Sequence, residues 1–498
     1  MNEKYLPLFT SEQAAALDRA VIDSNEVSGL TLMQRAGACT FNALMSKWPD
    51  TKQILILCGT GNNGGDGYVI AKLARVRNLQ VTVIQLGDSQ NQSEDANTAK
   101  AEMLAEDILL EQYVGQTFEN YDVIVDALLG IGLTREVSGV WAEVIDKVNA
   151  SSASVVAVDI PSGLSANTGN VLGCAIRADL TVTFMARKIG LYTADGKNCC
   201  GTIRFDALDV PASFYDSLKT DVFLIDTLPS IPLFQGRLPN THKGNYGHVL
   251  VIGGAPGMSG AVGMAAISAL RSGAGLVTVA THPDHAAMIN NRNPEIMSAG
   301  VLVKSSLDEL LEKADVIVIG PGLGRSHWAE ELFLHCITIK KPIVIDADGL
   351  RILAENQIKS DNWILTPHPG EASALLNESV VDIQQNRYAA SRALCERYAG
   401  VTVLKGAGTI ISGRGQTIVN TSGNPGMSTA GMGDILSGII GGFLAQSRDR
   451  DIEIQDVVAA AVYVHGLAGD MVADTHGEIG MLATDLLEFV RKIINQRA

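Results

Sequence analysis

Runs of consecutive apolar residues recur along the chain at 53–57, 80–84, 122–126, 154–159 and 180–184, and again at 248–252, 276–279, 316–319, 342–346, 363–365 and 401–404. A strand that is apolar at successive positions is buried on both faces. Each run is followed by a longer stretch at helical spacing, so the pattern predicts two parallel sheets covered by helices, an α/β fold twice over. Ahead of the first run, Ser11 opens a helix with Ala14, Ala15, Leu17 and Val21 at roughly helical spacing, and residues 30–44 read as a second helix. These two either cover their own sheet or pack on a partner subunit, and a homo-oligomer is expected. Between the two series Pro211, Pro229, Pro232 and Pro239 break the periodicity. A boundary near 211–240 follows, dividing the chain into residues 1–220 and 225–498.

Composition narrows the function. A chain of 498 residues holds two such domains with full cores. Its net charge of −16 is not interrupted by any Lys/Arg cluster, which argues against a nucleic-acid backbone as partner and directs attention to small molecules. The seven cysteines are an odd set without Cys-x-x-Cys, as in proteins with reduced thiols. The first residues carry neither a signal nor a transit pattern, and the longest apolar run, 435–445, contains three glycines and is too short to span a bilayer. A cytoplasmic protein without a membrane partner is predicted.

In the first half, Cys58-Gly59-Thr60-Gly61-Asn62-Asn63-Gly64-Gly65-Asp66-Gly67 follows a strand and opens a helix, with the Gly-x-Gly-x-x-Gly spacing of a dinucleotide site and Asp88 after the second strand. Asp66 would set a carboxylate beside a pyrophosphate, which disfavours a dehydrogenase. The paired amides Asn62 and Asn63 suit a cation or a neutral polar ligand instead. Asn63, Asp126 at a strand end and Ser162 in Asp159-Ile160-Pro161-Ser162-Gly163 offer three oxygens with one formal charge, a set that favours a monovalent ion. Asp159 is the remaining carboxylate, and its removal from bulk water suits it to acid/base work. Gly130-Ile131-Gly132-Leu133-Thr134-Arg135-Glu136 forms a further loop after a strand, with Arg135 available for a phosphate. These segments resemble the NAD(P)H-hydrate epimerase family over roughly residues 1–220. The resemblance implies a Rossmann-like domain that epimerises C6 of hydrated NADH or NADPH (NADHX and NADPHX). It further implies that Asn62, Asn63, Gly64, Gly65, Asp66, the 130–136 loop and Asp159 meet the substrate, with Asp159 catalytic, and that Asn63, Asp126 and Ser162 bind potassium.

In the second half, Gly423-Asn424-Pro425-Gly426-Met427-Ser428-Thr429-Ala430-Gly431-Met432-Gly433-Asp434 runs directly into an apolar helical stretch. Backbone N–H groups of such a loop close on an anion and the helix adds its positive end, which makes a phosphate cradle. A carboxylate at its mouth is placed to take a proton from an attacking hydroxyl, so Asp434 is the candidate base. Further loops follow strands at 253–261, 320–324, 346–350, 366–371 and 405–409, and all should gather at one sheet edge; no P-loop motif is present. Gly431-Met432-Gly433-Asp434 resembles the signature of the ribokinase-like fold. With Pro367-His368-Pro369-Gly370-Glu371 and Lys405-Gly406-Ala407-Gly408-Thr409 the stretch is similar to the ADP/ATP-dependent NAD(P)H-hydrate dehydratase family over roughly residues 225–498. The resemblance implies that Ala261, Gly322, His368 and Asp434 meet the hydrate, that Lys405, Gly406, Ala407, Gly408, Thr409 and Gly433 meet ADP or ATP, and that Glu371 orients magnesium through water. Two other readings stay open: a vitamin-type kinase with an N-terminal dinucleotide-binding regulatory domain, and a nucleotide sensor without turnover.

Overall fold

The computed structural model describes residues 4–88, 92–234, 236–356 and 358–496. They form two compact units, Pro7–Thr220 and a second that begins at Asp221 and also takes in Lys4, Tyr5 and Leu6. Each is a helix-covered sheet. In the first unit seven strands pair in the order Leu110–Gln112, Gln80–Gln85, Gln53–Cys58, Val123–Ala127, Ser154–Val158, Leu180–Phe184, Thr202–Asp206, and every pairing is parallel. Gln53–Cys58 has its sequence successor on one side and Val123–Ala127 on the other. The crevice at its C-terminal end is therefore a topological switch point, where open α/β sheets take ligands.

Consecutive apolar residues in the strands are explained by cores on both faces. Ile54, Ile56 and Cys58 join one cluster and Leu55 and Leu57 the other. In the second unit Val249 and Val251 join one cluster and Leu250 and Ile252 the other. The helices Ser11–Asp23 and Gly29–Lys47 bury Leu17, Val21, Met33 and Leu44 in their own unit's core, so they cover their own sheet.

The second unit has an eleven-stranded sheet. Its strands from Val401–Leu404 through Trp363–Leu365, Ile343–Ile345, Val316–Ile319, His248–Ile252 and Leu276–Thr281 to Met297–Gly300 are parallel. An antiparallel run through Ile410–Ser412 and Thr417–Asn420 extends it. Two features depart from the sequence pattern. The proline-broken stretch 211–240 contains the strand Val222–Ile225, which pairs in parallel with Thr417–Asn420. Residues 4–6 lie with the second unit because Leu6–Pro7 is the edge strand beside Val222–Ile225, while the Tyr5 hydroxyl and the Lys4 ammonium donate to Asp456 at 2.8 and 2.7 Å.

The helix Ile454–His476 is long and apolar enough to cross a membrane by length and composition. Here it is a core helix: Val457, Val458, Val462, Val464 and Ala468 are buried in the second unit's cluster, and the same helix carries the buried Asp456 and His465. Its apolarity comes from burial by protein.

Candidate active sites

The first unit holds a cavity of about 1080 Å³ beyond the strand ends. Its wall includes Asn62, Asn63, Asp66, the 130–136 loop and Asp159, so the structure brings most of the predicted substrate residues together. Gly64 and Gly65 are not among the lining residues. Both are buried in helix Asn62–Val76, and a Cβ on Gly64 would lie 2.1 Å from the Gly59 carbonyl oxygen, so close packing against the preceding strand end requires glycine there. Asp88 is exposed and does not line the cavity.

Asp159 is not the isolated carboxylate that the sequence pattern implies. It sits at φ +66°, a left-handed conformation that few non-glycine residues adopt. Its Oδ1 accepts from Phe184 N–H at 3.1 Å, from the Thr183 hydroxyl at 3.2 Å and from the Lys188 ammonium. Asp18 and Asp66 share the cavity wall with it. Burial, aided by Asp159 and Asp18, pushes the Asp66 carboxyl well above the ordinary range. Burial pushes Asp18 up to about 6, with Lys188 opposing and Asp159 reinforcing. Lys188 and Asp18 carry no motif. The only trace of Lys188 is a lysine in the short link between two apolar segments, and Asp18 adjoins the apolar face of its helix.

Asp126 and Ser162 lie beneath the wall, fully buried. Asp126 Oδ2 accepts from Ser162 N–H at 2.7 Å and its Oδ1 from the Ser162 hydroxyl at 2.5 Å and from Leu128 N–H at 3.2 Å. Burial pushes this carboxyl up to about 6 against those three bonds. Among the described residues no ammonium or guanidinium bonds it. Asn63, on the cavity wall next to Gly130, has both Oδ1 and Nδ2 buried without a partner among the described residues. A desolvated carboxylate without a counter-ion and an orphaned amide oxygen are what a bound cation would satisfy, and one formal charge fits a monovalent ion. The residues present fit potassium.

In the second unit Asp346, Ala347, His368, Pro369, Glu371, Lys405, Gly406, Gly431, Gly433 and Asp434 line a cleft of about 410 Å³. The helix Met432–Ser447 starts from Gly431 at φ +91°, which allows the chain to turn straight from loop into helix. Asp434 stands in its first turn, while the N-cap position is Gly431, which has no side chain to cap with. Burial and the Asp346 charge push it up to about 7, with Lys405 opposing. The loop ahead of it is anchored by Asp470, a residue without a motif, whose oxygens accept from Gly423 N–H and the Asn424 amide at 2.9 Å each.

Lys405, expected to meet the nucleotide, lines the cleft among acidic side chains. Its ammonium donates to Asp346 Oδ1 at 2.9 Å and stands 3.8 Å from Glu371. Glu371 in turn accepts from His368 N–H at 2.8 Å, while His368 Nδ1 accepts from Gly370 and Glu371 N–H, a reciprocal cap on helix Pro369–Leu376. Glu371, the residue expected to orient magnesium through water, thus also caps this helix and stands beside Lys405. Ala261, Gly322, Ala407, Gly408 and Thr409 do not line the cleft. Gly322 packs against Met258 and Ala261, and the Thr409 hydroxyl donates to Gly406 O at 3.0 Å.

Residues 249–492 match the NAD(P)H-hydrate dehydratase family and residues 29–190 the family described as YjeF-related protein N-terminus. The bifunctional NAD(P)H-hydrate repair enzyme Nnr of Coxiella burnetii is 44% identical over 98% of this chain and 99% of its own length. That of Escherichia coli is 41% identical over 95% and 92%. The chain belongs to the bifunctional NAD(P)H-hydrate repair enzyme family. Its second unit also aligns with a solved ADP/ATP-dependent NAD(P)H-hydrate dehydratase from Bacillus subtilis, co-crystallised with ATP and magnesium, at 30% identity and TM-score 0.47, covering 52% of this chain and 92% of that one.

Proposed function

We propose that the first unit interconverts the R and S forms of hydrated NADH and NADPH, and that the second dehydrates the S form at the expense of ADP or ATP. The observation that carries this reading is full-length similarity to repair enzymes together with one carboxyl-lined cavity in each unit. In the first cavity Asp159 works on the reacting end of the substrate while the amides of Asn62 and Asn63 and the 130–136 loop hold the rest. Asn63, Asp126 and Ser162 would hold potassium, whose fixed positive charge would tether the Asn63 loop.

In the second cleft Asp434 takes the proton of the substrate hydroxyl, whose oxygen then attacks the terminal phosphorus of the nucleotide. The nucleotide leaves as AMP from ADP, or as ADP from ATP. N–H groups of 431–433 hold the transferring phosphoryl, and a base of pKa near 7 suits proton transfer at neutral pH. The new phosphate ester departs with the C–O bonding electrons and a proton leaves the neighbouring carbon, which restores the ring double bond. Lys405, Gly406, Ala407, Gly408, Thr409 and Gly433 are proposed nucleotide contacts, and Ala261, Gly322 and His368 substrate contacts. Magnesium arrives with the nucleotide phosphates rather than in a protein cage. A cytoplasmic homo-oligomer completes the proposal. Full-length similarity to repair enzymes favours this reading over the kinase and sensor readings.

The test uses purified R and S hydrates with ADP. Both forms should regain the absorbance of the dihydronicotinamide, and Asp159→Ala should leave S turnover intact while R turns over only as fast as it epimerises spontaneously. Equal loss with both epimers in that variant would refute the assignment of activities to units.

A further inference from the structure

Lys188 is only 2% exposed. A lysine that deep requires partners for its charge, and the ammonium has three: the Asp159 carboxylate, the Thr183 hydroxyl at 3.0 Å and the Phe184 carbonyl at 3.1 Å. Every donor of the ammonium is thereby engaged. Three carboxyls converge there from separate elements: Asp18 from helix Ser11–Asp23, Asp66 from helix Asn62–Val76 and Asp159 from the turn after Ser154–Val158. All four side chains border the same cavity. The other cation acting on this group is Arg19, next to Asp18 on the helix surface. Three carboxyls and one interior ammonium cannot all be paired, so Lys188 decides which oxygen is held as an anion.

We propose that Lys188 is the positioning residue of the epimerase cavity: it fixes the orientation of the Asp159 carboxylate and supplies the charge that lets this carboxyl cluster present an ionised oxygen to the substrate. The inference rests on the reading of this cavity as the epimerase site. Asp159 has a left-handed backbone, and its side chain is anchored on the Lys188 side by all three of its bonds, so its aim depends on that anchor. Without the ammonium, ionising one carboxyl beside two others becomes harder, and the cluster as a whole titrates at higher pH.

The experiment measures epimerisation against pH in the full chain for the wild type, Lys188→Met, Lys188→Arg and Asp18→Asn, with near-ultraviolet circular dichroism and denaturant unfolding as the folding control. Lys188→Met should lower epimerase kcat on the order of 10²-fold at neutral pH with KM within a few-fold, and move the acid limb of kcat/KM up by about one pH unit. Lys188→Arg should return the limb to its wild-type position. A loss that is the same at every pH, in both Lys188 variants, would show a purely structural anchor and overturn the proposal. Should Lys188→Met fail to fold, Asp18→Asn decides: removal of a competing carboxyl should move the limb to lower pH, and an unmoved limb overturns the proposal. If Asp159→Ala leaves epimerisation intact, the reading of the cavity itself fails and the proposal with it.

Discussion

The two cavities are made from the same parts, acidic side chains gathered about one lysine, and they differ in which carboxyl the lysine bonds. In the first unit Lys188 bonds Asp159, while burial pushes Asp18 and Asp66 upward. In the second, Lys405 bonds Asp346, whose other oxygen takes the Ser437 hydroxyl at 2.5 Å. Burial alone would raise Asp346, but Lys405 and Ser437 override it and hold the carboxyl below its ordinary value. Asp434 and Glu371, outside that bond, rise to about 7. In a cluster with fewer cations than carboxylates, the lysine can bond only some of them, and burial raises the neighbours left outside that bond.

The comparison breaks most visibly at Asp434. Asp434→Asn should reduce dehydration by about 10²–10⁴-fold while ADP affinity, measured by calorimetry, stays within a few-fold, because the base acts on the hydroxyl and not on the nucleotide. Parallel loss of ADP binding would return Asp434 to a structural role. On the other side, Asp126→Ala removes the only charged ligand of the proposed cation site. Epimerisation should fall on the order of 10-fold and lose its dependence on potassium concentration, with dehydration untouched. Unchanged epimerisation, or zinc or calcium found in metal analysis, would remove the cation reading.

A finer test is the pH profile of dehydration. Asp434 must be ionised to act, so kcat/KM should rise through about pH 7. Asp346→Asn removes a neighbouring negative charge and releases Lys405 toward Asp434, so the rise should move to lower pH by about one unit. A rise that stays in place would mean that the lysine's choice of partner does not set the base.

The smallest effect concerns stability. Asp18, Asp126, Glu371 and Asp434 all lie above their ordinary values in the folded chain. Between about pH 4 and 7 the folded protein therefore binds more protons than the unfolded chain. The stabilisation from these groups, fully present below the unfolded pKa, is lost as pH rises through about 6 to 7. Denaturant midpoints of the ligand-free protein should drift downward over that interval. A midpoint that climbs throughout it would contradict these placements.

Much of this molecule was legible without coordinates because its cause is local. Strands with no polar position, such as 54–57 and 249–252, belong in the middle of a covered sheet. Glycine loops directly after them mark the crevice, and Asn63, Asp126, Asp159 and Asp434 stand at or near strand ends and helix starts that periodicity locates. The hairpin Ile410–Ser412 and Thr417–Asn420 and the strand Val222–Ile225 were not legible. Their short runs acquire meaning only from the partners they find.

Residue types and spacing along the chain determined two α/β units, a glycine-rich loop running into a helix at Asp434 and an oxygen-rich loop at Asn62 and Asn63. Tertiary structure alone decided the electrostatics: that Asp18 and Lys188, 170 positions apart, share a wall with Asp159, and that Lys405 spends its charge on Asp346, 59 positions away. Hydrophobic periodicity and turn chemistry act between near neighbours in sequence. Charge pairing and desolvation act through space, between groups that only the closed fold brings within a few ångströms of one another.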